Sequence, residues 1–338
     1  MKRVKFVLRA LALSGALSGF IQTASAEVDT IKVARQYGIG YLPLIVVEHD
    51  KLIEKYAAEA GLGNVKVEWV TFAGSSVMND ALLSGTLDFA TVGPPSLVTF
   101  WAKTAGTPQE IKGVNSVASA PLYLNTGNPN VKSVRDFSGN DRIALPAVKV
   151  SIQAIVLEMA AEQAFGKDNY TKLDSLTVSR SHPDAMAELL SGTSEINSHF
   201  TWPPYSNREQ KDPRVHIVLS SFDVLGGPAS AIVTIGTKRF HDANPKLFRA
   251  FFKAMNAAMM SINQDKRRAA ELYLEVTKER TPLDEITQMI SAPDMHFTTA
   301  PERMMKFADF MYQVGTVKKK PTSWKEMFFP EAHAMPGS

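Results

Sequence analysis

The chain has 338 residues, with 37 Lys or Arg against 34 Asp or Glu, and no cysteine. The missing cysteine excludes disulfides, a lipid-modified N-terminal cysteine and any thiolate metal site, so the hydrophobic core alone must stabilise the fold. A formal net charge of +3 without a Lys- or Arg-rich face excludes nucleic acid and an anionic membrane surface as partners.

Residues 1–26 have the pattern of a signal peptide. The first nine residues hold four Lys or Arg, Ala10 to Ile21 are apolar or small, and Ala24-Ser25-Ala26 fits a cleavage site. The alternative is a transmembrane anchor, but the apolar stretch is shorter than the roughly 20 residues that a span needs. We therefore predict export to a bacterial periplasm as a free protein, with cleavage changing the formal charge from +3 to −1.

One five-residue sequence, Leu-Leu-Ser-Gly-Thr, occurs at 82–86 and again at 189–193. Each copy ends a predicted helix and precedes a short apolar strand and a double proline, at 94–95 and at 203–204. The glycine stands where the chain leaves the helix with a positive φ angle. The repeat predicts two lobes of similar build.

Upstream of each copy the order strand, loop, helix recurs. Strands are predicted at 31–33 and 65–70 in the first copy and at 142–145 and 176–179 in the second, and a helix at 44–60. This alternation predicts an α/β fold in which each lobe is a mostly parallel sheet flanked by helices, with ligands at the carboxyl ends of the strands. We predict that residues 27–120 and 236–338 form the first lobe and residues 121–235 the second.

The loop after the first strand is predicted to place Gln36, Tyr37 and Tyr41 in a cleft. It contains Gly38-Ile39-Gly40, which is not the start of a dinucleotide-binding loop. Pro43 stands where the third glycine of that motif is required, and it has no N–H for a pyrophosphate.

Two further loops of the first lobe carry candidate ligand contacts. Phe72, Gly74 and Ser75 follow the second predicted strand, and Pro94 and Ser96 follow the third. Free backbone N–H groups at the start of a helix can hold an anion there. The alternative for Ser75 is that it only caps its helix.

The second lobe offers Ser151, Arg180, His199, Trp202 and Tyr205 at or near strand ends. Arg180 can pair with a carboxylate or a sulfonate through two hydrogen bonds, or form a surface salt bridge instead. Trp202 beside two prolines is a rigid flat surface for the apolar body of a ligand, or a tryptophan of the core or of the lobe interface.

Two segments are predicted to connect the lobes, residues 114–126 and the segment that begins with Gly226-Gly227. Two connections allow the lobes to close on a ligand by rotation. From Asn244 onward apolar residues recur at intervals of three and four, which predicts a helical buttress on the first lobe. The Phe and Met stripes of these helices indicate packing, and we predict no cofactor.

Catalytic and metal-binding motifs are absent from the sequence. Seven histidines occur without an H-E-x-x-H or comparable ligand spacing, and there is no G-x-S-x-G and no Walker loop. We therefore predict a protein that is not an enzyme and holds no metal. The alternatives are a periplasmic hydrolase that uses His182 or His199, and the binding component of a signalling sensor.

Four segments together carry a resemblance to a known family: Gly40-Tyr41-Leu42-Pro43, residues 67–74, residues 81–89 and Trp202-Pro203-Pro204-Tyr205. With the leader, they resemble the nitrate, sulfonate and taurine class of solute-binding proteins of ABC importers. The resemblance implies the two-lobed type II periplasmic binding protein fold. It also implies a monomer that captures a small, often anionic solute and delivers it to the membrane subunits of an ABC permease.

Carried over position by position, the resemblance points to the loops 36–41, 72–75, 93–96, 150–151 and 202–205. The sequence departs from the family at 195–200, where many relatives have an acidic residue followed by Ala-Trp and this chain has Glu-Ile-Asn-Ser-His-Phe. The departure leaves the identity of the solute open.

Overall fold

The structure, a computed structural model, describes residues 26–338. The predicted signal peptide, residues 1–26, lies outside the described residues except for Ala26. Within residues 26–338 no helix is both long and apolar enough to span a membrane.

Two five-stranded sheets form the centres of two lobes. The first sheet consists of β1 (Thr30–Arg35), β2 (Lys66–Thr71), β3 (Phe89–Val92), β4 (Ile111–Ser119) and β10 (Ser230–Thr237), in the order β2-β1-β3-β10-β4. The second consists of β5 (Tyr123–Thr126), β6 (Ile143–Leu145), β7 (Thr177–Ser179), β8 (Ser198–Thr201) and β9 (His216–Ser220), in the order β7-β6-β8-β5-β9.

The two sheets have the same topology. β1 pairs in parallel with β2 and β3, and β6 pairs in the same way with β7 and β8. One strand in each sheet, β10 or β5, is antiparallel to both of its neighbours. Each of these is the first strand after the chain crosses from the other lobe. The predicted α/β fold with two mostly parallel sheets is confirmed.

The connections between the lobes differ from the prediction in detail. Residues 114–126 form most of β4 and all of β5, so the first crossing is confined to residues 120–122. The predicted boundary at residue 235 falls inside β10. That strand pairs with β4 from Ser230 to Thr237, so all of it belongs to the first sheet and the second lobe ends before residue 230.

Helices cover both sheets. In the part of the first lobe that precedes the first crossing they are α1 (Leu42–His49), α2 (Leu52–Glu59), α3 (Ser75–Leu83) and α4 (Pro94–Thr104). In the second lobe they are α5 (Ile152–Phe165), α6 (His182–Ser191), α7 (Tyr205–Glu209) and α8 (Ser221–Leu225). After β10 follow α9 (Lys238–Ala243), α10 (Pro245–Gln264), α11 (Lys266–Thr277), α12 (Leu283–Ile290) and α13 (Met304–Gln313).

Local sequence explains where several helices end. Gly85 (φ 75°) and Gly192 (φ 67°), the glycines of the repeated sequence, follow α3 and α6 in the left-handed conformation that glycine adopts without a steric penalty. The helix predicted at 44–60 is instead two helices, α1 and α2. Lys51 lies between them in the left-handed region (φ 48°), which interrupts the helical hydrogen bonding.

The C-terminal helices pack on the first lobe as the predicted buttress. Phe251 of α10 stacks on Phe89 of β3 with the ring centroids 4.0 Å apart, and Phe248 and Met255 are fully buried beside it. α10 also packs on α1 and α2, and α13 packs on α4. The apolar stripe of α10 therefore belongs to the core of the first lobe.

Candidate functional site

A cavity lies between the two lobes, and both lobes and both crossings line it. The first lobe contributes Gln36, Tyr37, Tyr41, Ser75 and Gly93. The second contributes Pro146, Ile152, Gln153, His182 and Trp202. Leu122 of the first crossing and Ala231 and Ile232, at the start of β10 just after the second crossing, complete the lining. The two double-proline corners thus meet across one cavity, as the repeat in the sequence predicts.

Most of these residues share one position in the fold, just after the carboxyl end of a parallel strand. The strands of a parallel sheet end at the same edge, so the loops that follow them converge. The two lobes present these edges to each other. Gln36, Ser75 and Gly93 follow β1, β2 and β3, and Pro146, His182 and Trp202 follow β6, β7 and β8.

Four helices begin at the cavity, two from each lobe. Its lining includes the first residues of α3, α5 and α6, together with Gly93, which directly precedes α4. The positive end of a helix dipole favours an anion. α4 begins with Pro94-Pro95, which have no N–H, and Ser151 and Ser181 accept from the first turns of α5 and α6. Gly74 precedes α3 without offering a side-chain cap, so the first N–H groups of α3 keep no such partner. No Lys, Arg, Asp or Glu lines the cavity in the described part of the chain.

The wall formed by the first lobe consists of neutral polar groups. The side-chain amide of Gln36 donates to the Ser75 hydroxyl (3.4 Å) and to the carbonyl of Thr91 (3.3 Å). These contacts fix the side chains of Gln36 and Ser75 at the cavity wall. Burial raises the pKa of the Tyr41 phenol far above its usual value, so Tyr41 stays an uncharged donor.

Trp202 of the second lobe packs into the loops of the first. Its ring meets Tyr41 edge-on with centroids 5.5 Å apart, and its indole N–H donates to the carbonyl of Tyr37 (3.4 Å). A Cβ atom at Gly38 or Gly40 would overlap the indole ring, so both glycines make room for it. Trp202 is therefore both a cavity residue and a residue of the lobe interface.

Other contacts hold the lobes close together. The N–H of Ile39 donates to the carbonyl of Pro203 (3.1 Å), and Gly74 approaches Pro146 so closely that a Cβ would overlap it. The cavity between them has a free volume of about 20 Å³. One water molecule needs roughly 10–15 Å³ on this scale, so the lobes are closed on a space of about one water.

The second lobe's wall contains a buried chain of polar side chains behind His182. Nδ1 of His182 lies 2.9 Å from Nε2 of His199, and Nδ1 of His199 lies 2.6 Å from Oε1 of Glu209. Asn125 donates to the other oxygen of the same carboxylate (2.8 Å). His199, Glu209 and Asn125 are fully buried, and only His182 reaches the cavity.

His182 is held on every side. Thr201 Oγ1 lies 3.0 Å from its Nδ1, Gln153 Nε2 lies 3.5 Å from its Nε2, and the ring of Tyr205 stacks on its imidazole with centroids 5.6 Å apart. Burial, and secondly the neighbouring His199, lower the pKa of His182 well below its usual value. The imidazole is therefore neutral in this structure at neutral pH.

The structure brings seven of the predicted ligand residues to the cavity or its edge. Gln36, Tyr37, Tyr41, Ser75 and Trp202 line it, Gly74 contacts its wall at Pro146, and Pro94 follows the lining residue Gly93. His199 and Tyr205 lie one layer deeper, in contact with His182.

Four predicted residues do not line the cavity. Arg180 pairs with Glu188 on the surface of its own lobe (2.9 Å). Ser151 caps α5 through the N–H of Ala154, the hydroxyl of Ser96 accepts from Asn79, and Phe72 is a half-buried residue packed on the first-lobe core. For Arg180 the structure supports the alternative of a surface salt bridge.

Several lining residues were not among the predicted ligand contacts. His182 was considered for the hydrolase alternative, and Gly93 only as part of the loop 93–96. Pro146, Ile152, Gln153, Leu122, Ala231 and Ile232 were not considered. Pro146, Ile152 and Gln153 had a usable signal, because they follow a predicted strand in the same way as Gln36 does. Leu122, Ala231 and Ile232 had none, since their place beside the crossings is recognised only once the strands are paired.

The hydrolase alternative gains no support from the geometry. Among the described residues no serine hydroxyl lies within hydrogen-bonding distance of His182 or His199, whose partners are Gln153, Thr201, Glu209 and each other. Residues 26–338 also contain no group of three or more His, Cys, Asp or Glu arranged to hold a metal ion.

Comparison with known families and with curated proteins gives no match to this chain. Solved structures do match. The alkanesulfonate-binding protein SsuA from Xanthomonas axonopodis pv. citri, bound to MOPS, has a TM-score of 0.66 at 17% identity, and the match covers 93% of this chain and 100% of that one.

Two further structures have the same fold. The periplasmic nitrate-binding protein NrtA from Synechocystis PCC 6803 has a TM-score of 0.65 at 14% identity, over 89% of this chain and 84% of that one. The ligand-binding component of an ABC-type import system from Staphylococcus aureus, with zinc bound, has a TM-score of 0.65 at 16% identity, over 91% and 98%. The periplasmic binding protein fold that the resemblance implied is thus confirmed.

Proposed function

We propose that the protein captures a small anionic solute of the sulfonate, taurine or nitrate class between its lobes. The observation that carries the proposal is the meeting of four helix N-termini at a cavity without a charged side chain. Such a site attracts negative charge and offers no carboxylate to repel it. Structural neighbours that are described as binding alkanesulfonate and nitrate support the same class of solute.

The cavity has an apolar side that suits an organic solute. Trp202, Ile152 and Ile232 supply it, and Gln36 and Ser75 supply a polar edge. A few hydrogen bonds at helix ends together with one aromatic contact reach micromolar affinity, which corresponds to about −8 kcal/mol. A solute with an anionic head and a short apolar body matches both sides.

Capture requires the lobes to separate, because the closed cavity holds about 20 Å³. The two crossings, residues 120–122 and the segment before Ser230, are the connections about which the lobes rotate. Closure then excludes water from the solute and forms the contacts of Trp202 with the first lobe.

After capture, the protein is proposed to deliver the solute to the membrane subunits of an ABC permease. The proposal rests on the fold and on the described role of the Staphylococcus aureus neighbour in an ABC-type import system. It places the protein in the periplasm as a monomer, exported by its N-terminal segment. Fractionation of cells that express the full chain, followed by light scattering of the periplasmic protein, tests these two points.

The experiment that tests the solute class is a thermal-shift screen followed by calorimetry. Nitrate, taurine, alkanesulfonates and aromatic carboxylates are compared with a matched set of small amines such as ethanolamine and choline. We expect binding of at least one anion, no binding of the amines, and a smaller radius of gyration by X-ray scattering with the anion. Binding of the amines in preference to the anions contradicts the proposal.

A further inference from the structure

The buried polar chain of the second lobe ends at the cavity in His182, whose Nε2 is the ring nitrogen that does not contact His199. An ionised carboxylate can only accept hydrogen bonds, so with Glu209 ionised the 2.6 Å contact requires a proton on Nδ1 of His199. If both imidazoles are neutral, Nε2 of His199 is then an acceptor and Nδ1 of His182 must donate to it (2.9 Å). Nε2 of His182 is left without a proton, as an acceptor near the amide of Gln153.

One added proton reverses this arrangement. When His199 is protonated on both nitrogens, its Nε2 donates to Nδ1 of His182, and Nε2 of His182 carries the remaining proton into the cavity. The same buried chain therefore presents an acceptor in its neutral form and an N–H donor after gaining a single proton. The hydrogen bonds between the rings are kept in both forms.

The charges around the chain favour that proton when an anion arrives. Glu209 has no Lys or Arg partner in the described part of the chain, and its contacts are His199 and Asn125. With Glu209 ionised and both imidazoles neutral, the chain carries a buried negative charge behind the anion site. One proton makes it neutral overall, as an imidazolium and carboxylate pair.

No other group that faces His182 can supply the charge. Tyr205, stacked on the imidazole, has its pKa raised by burial and, less strongly, by Glu279 and Tyr37, and stays uncharged. Arg208, on the same helix, is paired with Glu279 (2.9 Å). Tyr41, across the cavity, also stays uncharged. The imidazole pair is the remaining titratable group at the site.

We propose that His182 is the residue that selects the ligand, and that anion binding is coupled to the uptake of one proton by the pair His182 and His199. Glu209 acts as a positioning residue that fixes the direction of the chain. The inference rests on the proposed capture of an anion and defines the ligand as an oxyanion that accepts a hydrogen bond from Nε2 of His182.

The coupling has a definite sign. The pKa of His182 is below its usual value in the ligand-free protein, and a neighbouring anion raises it in the complex. Affinity for the anion is therefore highest below the free-state pKa and falls by about tenfold per pH unit up to the pKa of the complex. Above that second pKa it no longer depends on pH.

Calorimetry of the mature chain with nitrate, taurine and ethanesulfonate tests the coupling. Titrations are made from about pH 5 to pH 9, across the range in which a histidine in a protein titrates, in pairs of buffers with different ionisation enthalpies. We expect uptake of up to about one proton per bound anion, largest where the affinity falls by about tenfold per pH unit. This measurement needs no variant.

Three variants assign the proton. The double variant H182Q/H199Q keeps an N–H donor at the cavity but removes both titratable rings of the pair, so its anion affinity is expected to be independent of pH, with no proton uptake. E209Q removes the buried negative charge, so proton uptake is expected to fall severalfold while binding remains. H49Q changes an exposed histidine on the first lobe and is expected to keep the wild-type pH profile.

The outcomes separate the two proposals. Anion binding with no proton uptake and a flat pH profile overturns the coupling and leaves the proposed function intact. Failure of all three probes to bind overturns the proposed function and the coupling with it. Proton uptake that persists unchanged in H182Q/H199Q shows that another group gains the proton, which also overturns the inference.

Discussion

The two lobes share one topology but differ in what they bury. Every buried Asp, Glu and His of residues 26–338 lies in the second lobe: Asp141, Glu158, His182, His199 and Glu209. The first lobe buries only neutral polar side chains such as Gln36, Ser75 and Thr91. Two lobes of the same topology thus differ in their buried polar groups. Those of the first lobe are neutral, whereas those of the second include groups that can change their charge.

The double-proline corners show the same difference at close range. In the first lobe Gly93 leads into α4, a helix of 11 residues, and lies against Ile152 of the other lobe. In the second lobe Trp202 leads into α7, a helix of five residues that ends in the buried Glu209. The shared topology places a loop at the cavity in each lobe. The side chains on either side of the prolines then determine which groups the loop contributes.

The largest effect that tests this comparison is expected from W202A. Trp202 is 3% exposed and fills the space left by Gly38 and Gly40, so its loss leaves a cavity at the lobe interface. We expect unfolding in urea to show a loss of about 3–5 kcal/mol. Calorimetry is expected to show weaker binding of an organic anion by roughly 1–3 kcal/mol, and a much smaller loss for nitrate.

W324A is the matched control for that variant. Trp324 is also buried, at 6% exposure, but it packs on Phe328 in the C-terminal part of the chain and does not line the cavity. It is expected to lower stability without changing anion affinity. Equal losses of affinity in the two variants would show that Trp202 acts only through stability.

The next largest effect is expected from Glu158, an ionisable side chain that is buried in the second lobe and does not line the cavity. Burial, and then repulsion by Asp174, raise the pKa of Glu158 to about 8. The folded chain holds this proton to higher pH than the unfolded chain, so the stabilisation is complete below about pH 4.3 and is lost as pH rises toward 8.

E158Q is therefore expected to raise the free energy of unfolding at about pH 9 by at least about 2 kcal/mol, since one pKa unit corresponds to about 1.4 kcal/mol. Denaturation in urea at about pH 5 and about pH 9 measures the difference, with little change expected at the lower value. A variant that is equally stabilised at both pH values would argue against a protonated Glu158.

A smaller effect is expected where the first lobe accommodates the second. A Cβ at Gly40 would overlap the Trp202 ring, so G40A is expected to destabilise the closed arrangement by about 1–3 kcal/mol. X-ray scattering of the ligand-free protein should show a larger radius of gyration. G139A is the control, because a Cβ at that exposed turn meets no atom within 4 Å. An unchanged radius in G40A would mean that the lobes close without this contact.

The smallest effect concerns charge pairs between the lobes. Arg208 of α7 pairs with Glu279 in the segment after α11, at 2.9 Å. E279Q is expected to weaken closure by about 0.2–1 kcal/mol, and less at high salt. D284N, which removes a pair with Arg267 inside the C-terminal helices, serves as the control and should leave closure unchanged. Titration of scattering profiles with the anion gives the closure equilibrium for both.

The fold could be predicted from sequence because its signals are local. Gly85 and Gly192 mark helix ends, and each strand runs into a loop and a helix within a few residues. β9 was not predicted, and β4 was taken in part for a connection. β4 is buried along nearly its whole length but carries Asn115, Ser116 and Ser119, so it has neither an apolar run nor a clear alternation.

The site was harder to predict because it depends on distances between segments. Arg180 was predicted to contact the ligand, but it pairs with Glu188, which lies on α6 of the same lobe. The chain from His182 to Glu209 needs α6, β8 and α7 to meet, and no spacing in the sequence reveals that. Trp202 was predicted because rigidity and aromatic character are properties of the residues themselves.

The position of β10 has a consequence for the order in which the protein folds as it is made. The first sheet is incomplete until Thr237 has been synthesised, since β10 separates β3 from β4. The second sheet needs only one uninterrupted stretch, 123–220. Nascent chains that end near residue 229 are expected to be protease-resistant in the second lobe. Their N-terminal part, which belongs to the first lobe, is expected to be digested until β10 has been synthesised.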